Sequence, residues 1–284
     1  MKQMYPYYFL IPAGIIYSVF FLVPTAMSFF YSMTWWTLDD WEFIGFENFV
    51  QFFQEPSLRI GFRNTLVFAF TSMGGKAVLG LLLATFLTTK IRNKDLLRSV
   101  VFFPALLSTI AVGYTFKSMM HPTNGLINSA LSKLGITGPN WLGNPDIALF
   151  SVILTEIWKG VGIATVIFIA GIMAIPKDYY EALKIDGGNS WQSFFHITLP
   201  LSRPALNTVI ILALIGGLRN FDLVWAMTGG GPGFSTDLLA SIVYKQYASG
   251  FFGLATAGNV LMFIFVALIA FPIFKFLNRK EVDL

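Results

Sequence analysis

Six long apolar stretches divide this sequence into hydrophobic segments joined by short polar loops. A bilayer's hydrocarbon core of about 30 Å needs roughly 20 mainly apolar helical residues to cross it. Each stretch reaches that length, so the sequence predicts an all-α polytopic membrane protein with six transmembrane helices. The first stretch is too long for the apolar region of a signal peptide and lacks a cleavage site. The predicted spans lie near Tyr8–Tyr31, Thr65–Thr88, Ser99–Met120, Ala148–Met173, Arg203–Met227 and Thr256–Leu277.

The composition argues against the soluble classes of protein. Only 12% of the residues are charged, whereas 55% are hydrophobic, and a soluble domain usually carries about 25% charged residues. The net charge of +4 is too small to indicate nucleic acid as a partner. The chain has no Cys, which excludes disulfides and thiolate metal sites. The lipid bilayer is therefore the predicted surrounding, and one domain over residues 1–284 is the simplest organisation.

The basic residues indicate how the chain is oriented. Counting spans from the N-terminus places eleven Lys and Arg on the side that holds both termini, and five on the other side. Because cytoplasmic loops carry the excess of Lys and Arg, both termini are predicted to be cytoplasmic. The cytoplasmic set is Lys2, Lys90, Arg92, Lys94, Arg98, Lys177, Lys184, Arg203, Lys275, Arg279 and Lys280. The outer set is Arg59, Arg63, Lys117, Lys133 and Lys245, and Trp35, Trp36 and Trp41 fit the outer interface.

Catalytic motifs are missing from the sequence. Gly75-Lys76 lacks the first glycine and the following Ser or Thr of a phosphate-binding loop. His121 and His196 fall on opposite predicted sides of the membrane, which argues against a shared metal site. We predict no catalytic residue, no metal site and no cofactor in this chain, so its expected role is that of a conduit.

The segment 174–202 is the longest predicted cytoplasmic loop, and it reads as two short helices. Asp178 is predicted to cap the first helix with Glu181 as its reciprocal partner, and Gly187-Gly188 to end it. Asn189 and Gln192 have the same spacing at the start of the second helix, which Pro200 is expected to close. Trp191, Phe194 and Phe195 give that helix an apolar surface. On these grounds alone, the surface fits a partner protein or the inner leaflet equally well.

Part of this loop resembles a family signature. The pattern E-A-x-x-x-D-G-x(9)-I-x-L-P resembles the loop of permease subunits of binding-protein-dependent ABC importers. It is carried by Glu181, Ala182, Asp186, Gly187, Ile197, Leu199 and Pro200. Further similarity lies at Gly45, Asn48, Asn64, Thr65, Arg98, Phe103-Pro104, Gly125–Asn128 and Thr228–Pro232. The last segment is similar to a branch that imports carbohydrates and glycerol phosphate.

The resemblance implies a type I importer permease fold, in a bacterial inner membrane, and a set of partners. The loop would form the coupling helix that docks on a cytoplasmic ATPase dimer, which would bind ATP and magnesium. Glu181 would meet polar or basic groups there, Ala182 would allow close approach, and Gly187 would make the bend. A second homologous permease would complete the pore, and an extracellular or periplasmic solute-binding protein would deliver the substrate.

Several polar residues within the predicted spans are candidates for the substrate pathway, because polar groups in a bilayer are costly. The resemblance implies sugar contacts from the helices on either side of the loop, where Trp158 and Asn220 match two positions. The residues themselves predict one polar, water-filled cavity, in which Trp158 stacks on a sugar face while Glu156, Lys159 and Asn220 bond its hydroxyls. Ser108 and Thr109 are weaker candidates. The structural alternative is that Glu156 pairs with Lys159, Arg219 pairs with Asp222, and Lys76 snorkels or faces a partner subunit.

Three classes of function remain to be weighed: an ABC importer, an ion-driven secondary transporter and a membrane enzyme. The leading one is import of a carbohydrate, an oligosaccharide by preference. The same importer class could carry a glycerol-phosphate compound, which two lysines at mid-membrane depth, Lys76 and Lys159, would suit. An ion-driven secondary transporter would need inverted repeats, and a membrane enzyme would need converging acid, base or metal groups. Neither pattern is visible in the sequence.

Overall fold

The computed structural model describes residues 7–37, 39–89 and 91–279. Lys2, Lys90 and Lys280, which carry part of the predicted charge asymmetry, and both termini lie outside the described residues. The helices are α1 (Tyr8–Tyr31), α2 (Glu47–Gln54), α3 (Leu58–Leu87), α4 (Lys94–Leu106), α5 (Thr109–Met119), α6 (Leu126–Lys133), α7 (Pro145–Met173), α8 (Lys177–Ile185), α9 (Ser190–Leu201), α10 (Arg203–Leu218), α11 (Asp222–Met227), α12 (Leu239–Ala248) and α13 (Phe252–Asn278). The strands are β1 (Thr34–Trp36) and β2 (Trp41–Phe43).

The predicted spans are confirmed as apolar helices, but two of them are bent. Within the described residues, α1, α3, α7 and α13 are each long and apolar enough to cross a membrane. The pairs α4–α5 and α9–α10 qualify only as broken spans, with bends of 97° and 67°. Counting each bent pair as one span gives the six predicted.

The third predicted span, Ser99–Met120, is not one straight helix. Leu107 and Ser108 have extended backbone conformations, so α4 ends and α5 starts afresh at Thr109. Pro104 lacks the N–H that a helix interior needs, and it lies one turn before the break. Hydropathy alone cannot register this bend, because it depends on backbone geometry and not on side-chain polarity.

The fifth predicted span, Arg203–Met227, is also interrupted. Helix α10 ends at Leu218, and α11 begins at Asp222 after three residues that are not helical. Gly216 and Gly217 precede the break, and a Cβ at Gly217 would come within 2.7 Å of the Ala69 Cα. Glycine is a weak helix former but allows this close packing of α10 on α3.

The chain divides into two units. One contains the residues up to Leu58 together with Ile242–Phe265, and the other contains Arg59–Ser241 and the residues from Val266 onward. The single domain expected over residues 1–284 stays a prediction.

In the first unit, β1 and β2 form an antiparallel hairpin, a small sheet that the apolar pattern of the sequence does not predict. Trp35 and Trp41 are exposed on it, as interfacial residues would be. Asn48 of α2 is buried and donates from Nδ2 to the Ser32 and Thr34 carbonyls at 3.0 and 2.7 Å. Phe52 packs with Ile242, Val243, Leu254 and Ala255 in the core of this unit.

The second unit has two apolar clusters in which α7 is the central helix. Its N-terminal half packs with Phe68, Leu223 and Met227, and its C-terminal half with Leu81, Ala205 and Val209. Small residues bring the helices close: a Cβ at Gly162 of α7 would lie 2.4 Å from the Val101 carbonyl oxygen of α4. Such contacts between small residues are typical of membrane helix packing.

Buried asparagines that carry the family resemblance bridge backbone segments of the second unit. Asn64 of α3 donates from Nδ2 to the Ser235 and Asp237 carbonyls at 2.9 and 3.1 Å. Asn128 donates to the Pro122 and Pro139 carbonyls and accepts from Trp141 Nε1 at 2.7 Å. These side chains satisfy loop carbonyls that would otherwise be buried without a partner.

Candidate functional site

A buried polar cluster joins three helical segments of the second unit. Lys76 of α3 donates from Nζ to Glu156 Oε1 of α7 at 2.6 Å, and its residue exposure is 7%. Asn220, in the break between α10 and α11, donates from Nδ2 to Glu156 Oε2 at 3.3 Å. Both carboxylate oxygens of Glu156 are therefore engaged. The Asn220 Oδ1 atom is buried and has no hydrogen-bond partner among the described residues.

This arrangement corrects the expected pairing of Glu156 with Lys159. The carboxylate pairs with Lys76, eighty residues away in sequence, and Lys76 does not snorkel. Lys159 forms no ion pair with any residue in the described part of the chain. Arg219 and Asp222 form no ion pair with each other either, because the helix that would align them ends at Leu218.

A cavity of about 200 Å³ opens beside the ion pair. Lys76, Glu156 and Lys159 supply its charged groups, and most of the remaining lining is apolar. Gly160 lies under the lysine chain, where a Cβ would come within 2.5 Å of Lys76 Cε. The glycine thus leaves the space through which Lys76 reaches the carboxylate.

Trp158 does not line the cavity that holds Glu156 and Lys159. At about 100° per residue, the tryptophan points away from Glu156 on the opposite face of α7. It is 41% exposed, and its ring lies 5.0 Å from that of Phe116 in α5, tilted by 55°. The expected single pocket containing Trp158, Glu156, Lys159 and Asn220 is therefore separated into an aromatic surface and a charged cluster.

Ser108 and Thr109, the weaker pathway candidates, lie at the bend between α4 and α5. Ser108 is exposed and occupies the position before the first residue of α5 without a side-chain capping bond. The carbonyl of Ser108 accepts the Val112 N–H at 3.0 Å, which starts the new helix. The bend leaves backbone N–H and C=O groups without helical partners near the middle of the predicted span. Membrane proteins tolerate such groups only where protein buries them or water reaches them.

The first loop helix, α8, ends as predicted but begins differently. Gly187 has φ +77°, and the Gly188 N–H bonds the Leu183 carbonyl while the Gly187 N–H bonds that of Lys184. This is the Schellman arrangement that a glycine favours. The predicted cap by Asp178 is wrong, because α8 starts at Lys177 after Pro176 and has no side-chain cap. Asp178 lies inside the first turn instead.

The predicted cap of α9 is confirmed. Asn189 Oδ1 accepts the Gln192 N–H at 2.9 Å, and Gln192 Oε1 accepts the Asn189 N–H at 2.8 Å. Pro200 does not end this helix, which continues to Leu201 through a π-helical turn at Phe194–Thr198. That wider turn changes the local hydrogen-bond spacing immediately before the proline.

The loop has one packed face and one exposed face. Tyr180 Oη bonds Thr198 Oγ1 at 3.1 Å, Ile197 is buried, and Leu199 and Phe194 pack against the cluster that contains Phe168. The exposed face carries Glu181, Ala182, Asp186, Ile185, Trp191 and Phe195. Trp191 is 73% exposed and its ring stacks on that of Phe195 at 5.9 Å.

Sequence reasoning missed three contributors to the site: Lys76 as the partner of Glu156, Gly160 under the lysine chain, and Phe116 beside Trp158. A different feature, the separation of Trp158 from Glu156, does have a signal in the sequence, since the helical period places the two residues on opposite faces of α7. The sequence near Glu156 does not indicate that Lys76 is its partner, because Lys159, three residues away, has a suitable spacing for the same role.

Comparison with known proteins agrees with this architecture. The trehalose/maltose transport system permease protein MalF of Thermococcus litoralis is 33% identical over 264 residues, which cover 92% of this chain and 89% of that protein. The multiple sugar-binding transport system permease protein MsmF of Streptococcus mutans is 33% identical, covering 96% and 95%. The sn-glycerol-3-phosphate transport system permease protein UgpA of Yersinia pestis is 31% identical, covering 97% and 94%.

Solved structures share the fold. A bacterial ABC transporter involved in the import of the acidic polysaccharide alginate contains a chain that superposes with a TM-score of 0.85. That chain is 23% identical, and the match covers 97% of this chain and 96% of the other. The family model for binding-protein-dependent transport system inner membrane components matches residues 3–282. With this match over nearly its whole length, the chain belongs to the family of binding-protein-dependent transport system inner membrane components.

Proposed function

We propose that this chain is the permease subunit of an ATP-driven importer that takes up a carbohydrate. A second homologous permease completes the pore, a cytoplasmic ATPase dimer binds the 174–202 loop, and a solute-binding protein delivers the sugar. ATP binding closes the ATPase dimer, and the loop passes this movement to the membrane helices as a rigid-body switch. The chain itself performs no chemical step.

The division of the loop into a packed face and an exposed face is the observation that carries this proposal. The packed face connects α8 and α9 to the cluster that contains Phe168, so force on the loop reaches α7 and α10. The opposite face presents the carboxylates of Glu181 and Asp186 beside exposed apolar groups, of which Ile185 is 86% exposed. An apolar patch with charged groups around it fits a protein partner.

The proposal that the substrate is a sugar is supported by the exposed ring of Trp158 and by the names of the relatives. Aromatic rings offer an apolar face on which a sugar ring stacks, and Trp158 presents such a face beside Phe116. The T. litoralis and S. mutans relatives are named for sugars. Asn220 contributes a buried oxygen, Oδ1, that lacks a partner among the described residues and is free to accept a sugar hydroxyl.

The glycerol-phosphate alternative loses part of its support. It depends on two cationic lysines at mid-membrane depth, but Glu156 neutralises the charge of Lys76. Of these two lysines, only Lys159 has no ion-pair partner in the described part of the chain. A neutral or singly charged sugar therefore suits the charged cluster better than a phosphate dianion does.

The substitution Glu181→Lys tests the role of the loop. If the loop binds the ATPase, reversing this charge should reduce both co-purification of the ATPase and the ATP hydrolysis that the solute-binding protein stimulates in liposomes. If the loop only lies on the inner leaflet, a new lysine should be harmless or favourable, because anionic headgroups attract it. The two hypotheses thus predict opposite effects of one substitution.

A matched control is Glu47→Lys, which makes the same charge change at an exposed residue of α2. It should leave ATPase co-purification at the wild-type level. Wild-type co-purification and hydrolysis for Glu181→Lys itself would contradict the proposed docking.

A further inference from the structure

A second cavity lies where α3 and α7 end, beneath the loop, and it is larger than the one beside Lys76. Its volume is about 640 Å³, within the range of about 300–1,000 Å³ that small-molecule sites occupy. The walls come from the last turn of α3, the end of α7, and both loop helices. It is separate from the exposed face of the loop that we assign to the ATPase.

The charges that line this cavity are all positive. Lys177 and Lys184 lie two turns apart on one face of α8 and both border it, whereas its lining contains no Asp or Glu. Neither lysine forms an ion pair with another residue in the ranges that the structure describes. Glu181 lies between the two lysines on α8, four residues after Lys177 and three before Lys184, but it forms no ion pair with either of them and does not line the cavity.

Hydroxyl groups complete the polar lining. Ser190 and Ser193 of α9 border the cavity, and their side chains make no hydrogen bond to other described residues. Thr88 and Thr89, which follow the last residue of α3, also line the cavity, although their hydroxyls already bond the Thr85 and Phe86 carbonyls. Two cations and two hydroxyls that make no hydrogen bond to other described residues thus border one space, which no carboxylate lines.

We propose that this cavity binds a phosphate group, held by the ammonium groups of Lys177 and Lys184 and by the hydroxyls of Ser190 and Ser193. A phosphate monoester carries a charge of about −1.5 to −2 near neutral pH and has three acceptor oxygens, which match two ammonium groups and two hydroxyls. Ile172, Met173 and Phe194 also line the cavity, so an apolar or sugar portion has a surface to contact.

The position of the cavity gives this site a regulatory role. Its walls belong both to the ends of the spans and to the loop. The proposed ligands come from α8 and α9, so a bound phosphate fixes these two loop helices relative to each other. The bound state therefore favours one orientation of the loop, and its occupancy shifts the balance between loop orientations. The phosphate comes either from a phospholipid headgroup or from a soluble phosphorylated sugar, and the experiment below separates these sources.

The test uses a fluorophore on a single cysteine. Because the chain has no Cys, Thr85→Cys places one environment-sensitive label on the cavity wall without removing a proposed ligand. The chain is measured in the complex in which it purifies, in phosphatidylcholine nanodiscs. One arm titrates glucose 6-phosphate, with glucose as the blank, and the other replaces part of the lipid with phosphatidylglycerol.

We expect a saturable change of fluorescence in at least one arm, and the responding arm identifies the source. The double substitution Lys177→Gln/Lys184→Gln should weaken the apparent affinity at least about tenfold, since two charge-assisted bonds are lost. Lys94→Gln/Lys275→Gln removes the same charge from exposed lysines outside the cavity and should leave the response unchanged. No response in either arm, or equal losses in the two double variants, would overturn the proposal.

Discussion

Lys76 and Glu156 form a buried ion pair between α3 and α7, with 2.6 Å between Nζ and Oε1. Asn220 extends the pair to the break between α10 and α11 through Glu156 Oε2. Two helices and a non-helical segment, all distant in sequence, thus meet at one carboxylate. Because a lone charge inside a membrane protein is costly, each member of this cluster depends on the others.

We expect Lys76→Met to destabilise the chain strongly, because it leaves the Glu156 carboxylate buried without a cation. Breaking a buried pair on one side typically costs about 3–5 kcal/mol, while replacing both partners by apolar groups is often nearly neutral. The double variant Lys76→Met/Glu156→Leu should therefore be more stable than Lys76→Met alone. The free energy of unfolding in mixed detergent micelles measures both.

Lys159→Met is the control for this pair. It removes a lysine from the same cavity that has no ion-pair partner in the described part of the chain, so it should change the unfolding free energy by less than about 1 kcal/mol. Equal losses for Lys76→Met and Lys159→Met would mean that the pair contributes nothing specific to stability.

Asn220→Ala should reduce uptake while the complex still assembles. The substitution removes the bond to Glu156 and the Oδ1 acceptor that has no partner among the described residues. Leaving a buried polar group unsatisfied typically costs about 1–3 kcal/mol. Radiolabelled sugar uptake in proteoliposomes measures the loss. If Asn220 acts only through Glu156, then Asn220→Ala should add no further loss to Glu156→Gln. A further loss would indicate an independent contact with the substrate.

Trp158→Ala should raise the sugar concentration needed for half-maximal uptake, because the stacking surface is lost. A ring contact contributes about 0.5–1.5 kcal/mol, which corresponds to roughly a two- to tenfold change. Trp158→Phe should recover much of the loss. Val166→Ala, an exposed position on the same helix, serves as the control. Unchanged transport by Trp158→Ala at every sugar concentration would remove Trp158 from the substrate pathway.

The orientation predicted from the basic residues is open to a direct test. A single cysteine at Ser190 should react with an impermeant maleimide only in inside-out vesicles, whereas one at Ser249 should react from outside intact cells. Both residues are exposed, so access to the side chain does not limit the reaction. Labelling of the Ser190 cysteine from outside would reverse the predicted topology.

The sequence predicts those features that depend on neighbouring residues. It does not predict contacts between residues that are far apart along the chain. The Asn189–Gln192 cap and the turn at Gly187 follow from neighbouring residues, and both are present. The pair between Lys76 and Glu156 depends on how α3 packs on α7, which no spacing rule encodes. Hydropathy does not predict the bend at Leu107, because the segments before and after it are both apolar. Asp178 fails as a cap because Pro176, whose φ is fixed, takes the position before the helix.

Gly187 connects this local geometry with the proposed coupling. Its φ of +77° lies in the left-handed region, which costs a residue with a Cβ about 1–2 kcal/mol. A Cβ built on Gly187 meets no atom within 4 Å, so the backbone conformation alone accounts for the penalty. Gly187→Val should therefore distort the turn between α8 and α9, move Glu181 relative to the ATPase, and abolish transport, although the spans still insert.

The matched variant is Gly187→Asn, because asparagine adopts the left-handed conformation more readily than other residues with a side chain. It should keep most of the transport activity, although it adds a larger group than alanine does. The order glycine, asparagine, alanine, valine is thus expected for ATPase co-purification and for stimulated ATP hydrolysis in liposomes. If activity instead follows side-chain volume, with alanine above asparagine, the site is sensitive to crowding at the docked surface, and backbone strain is not the cause.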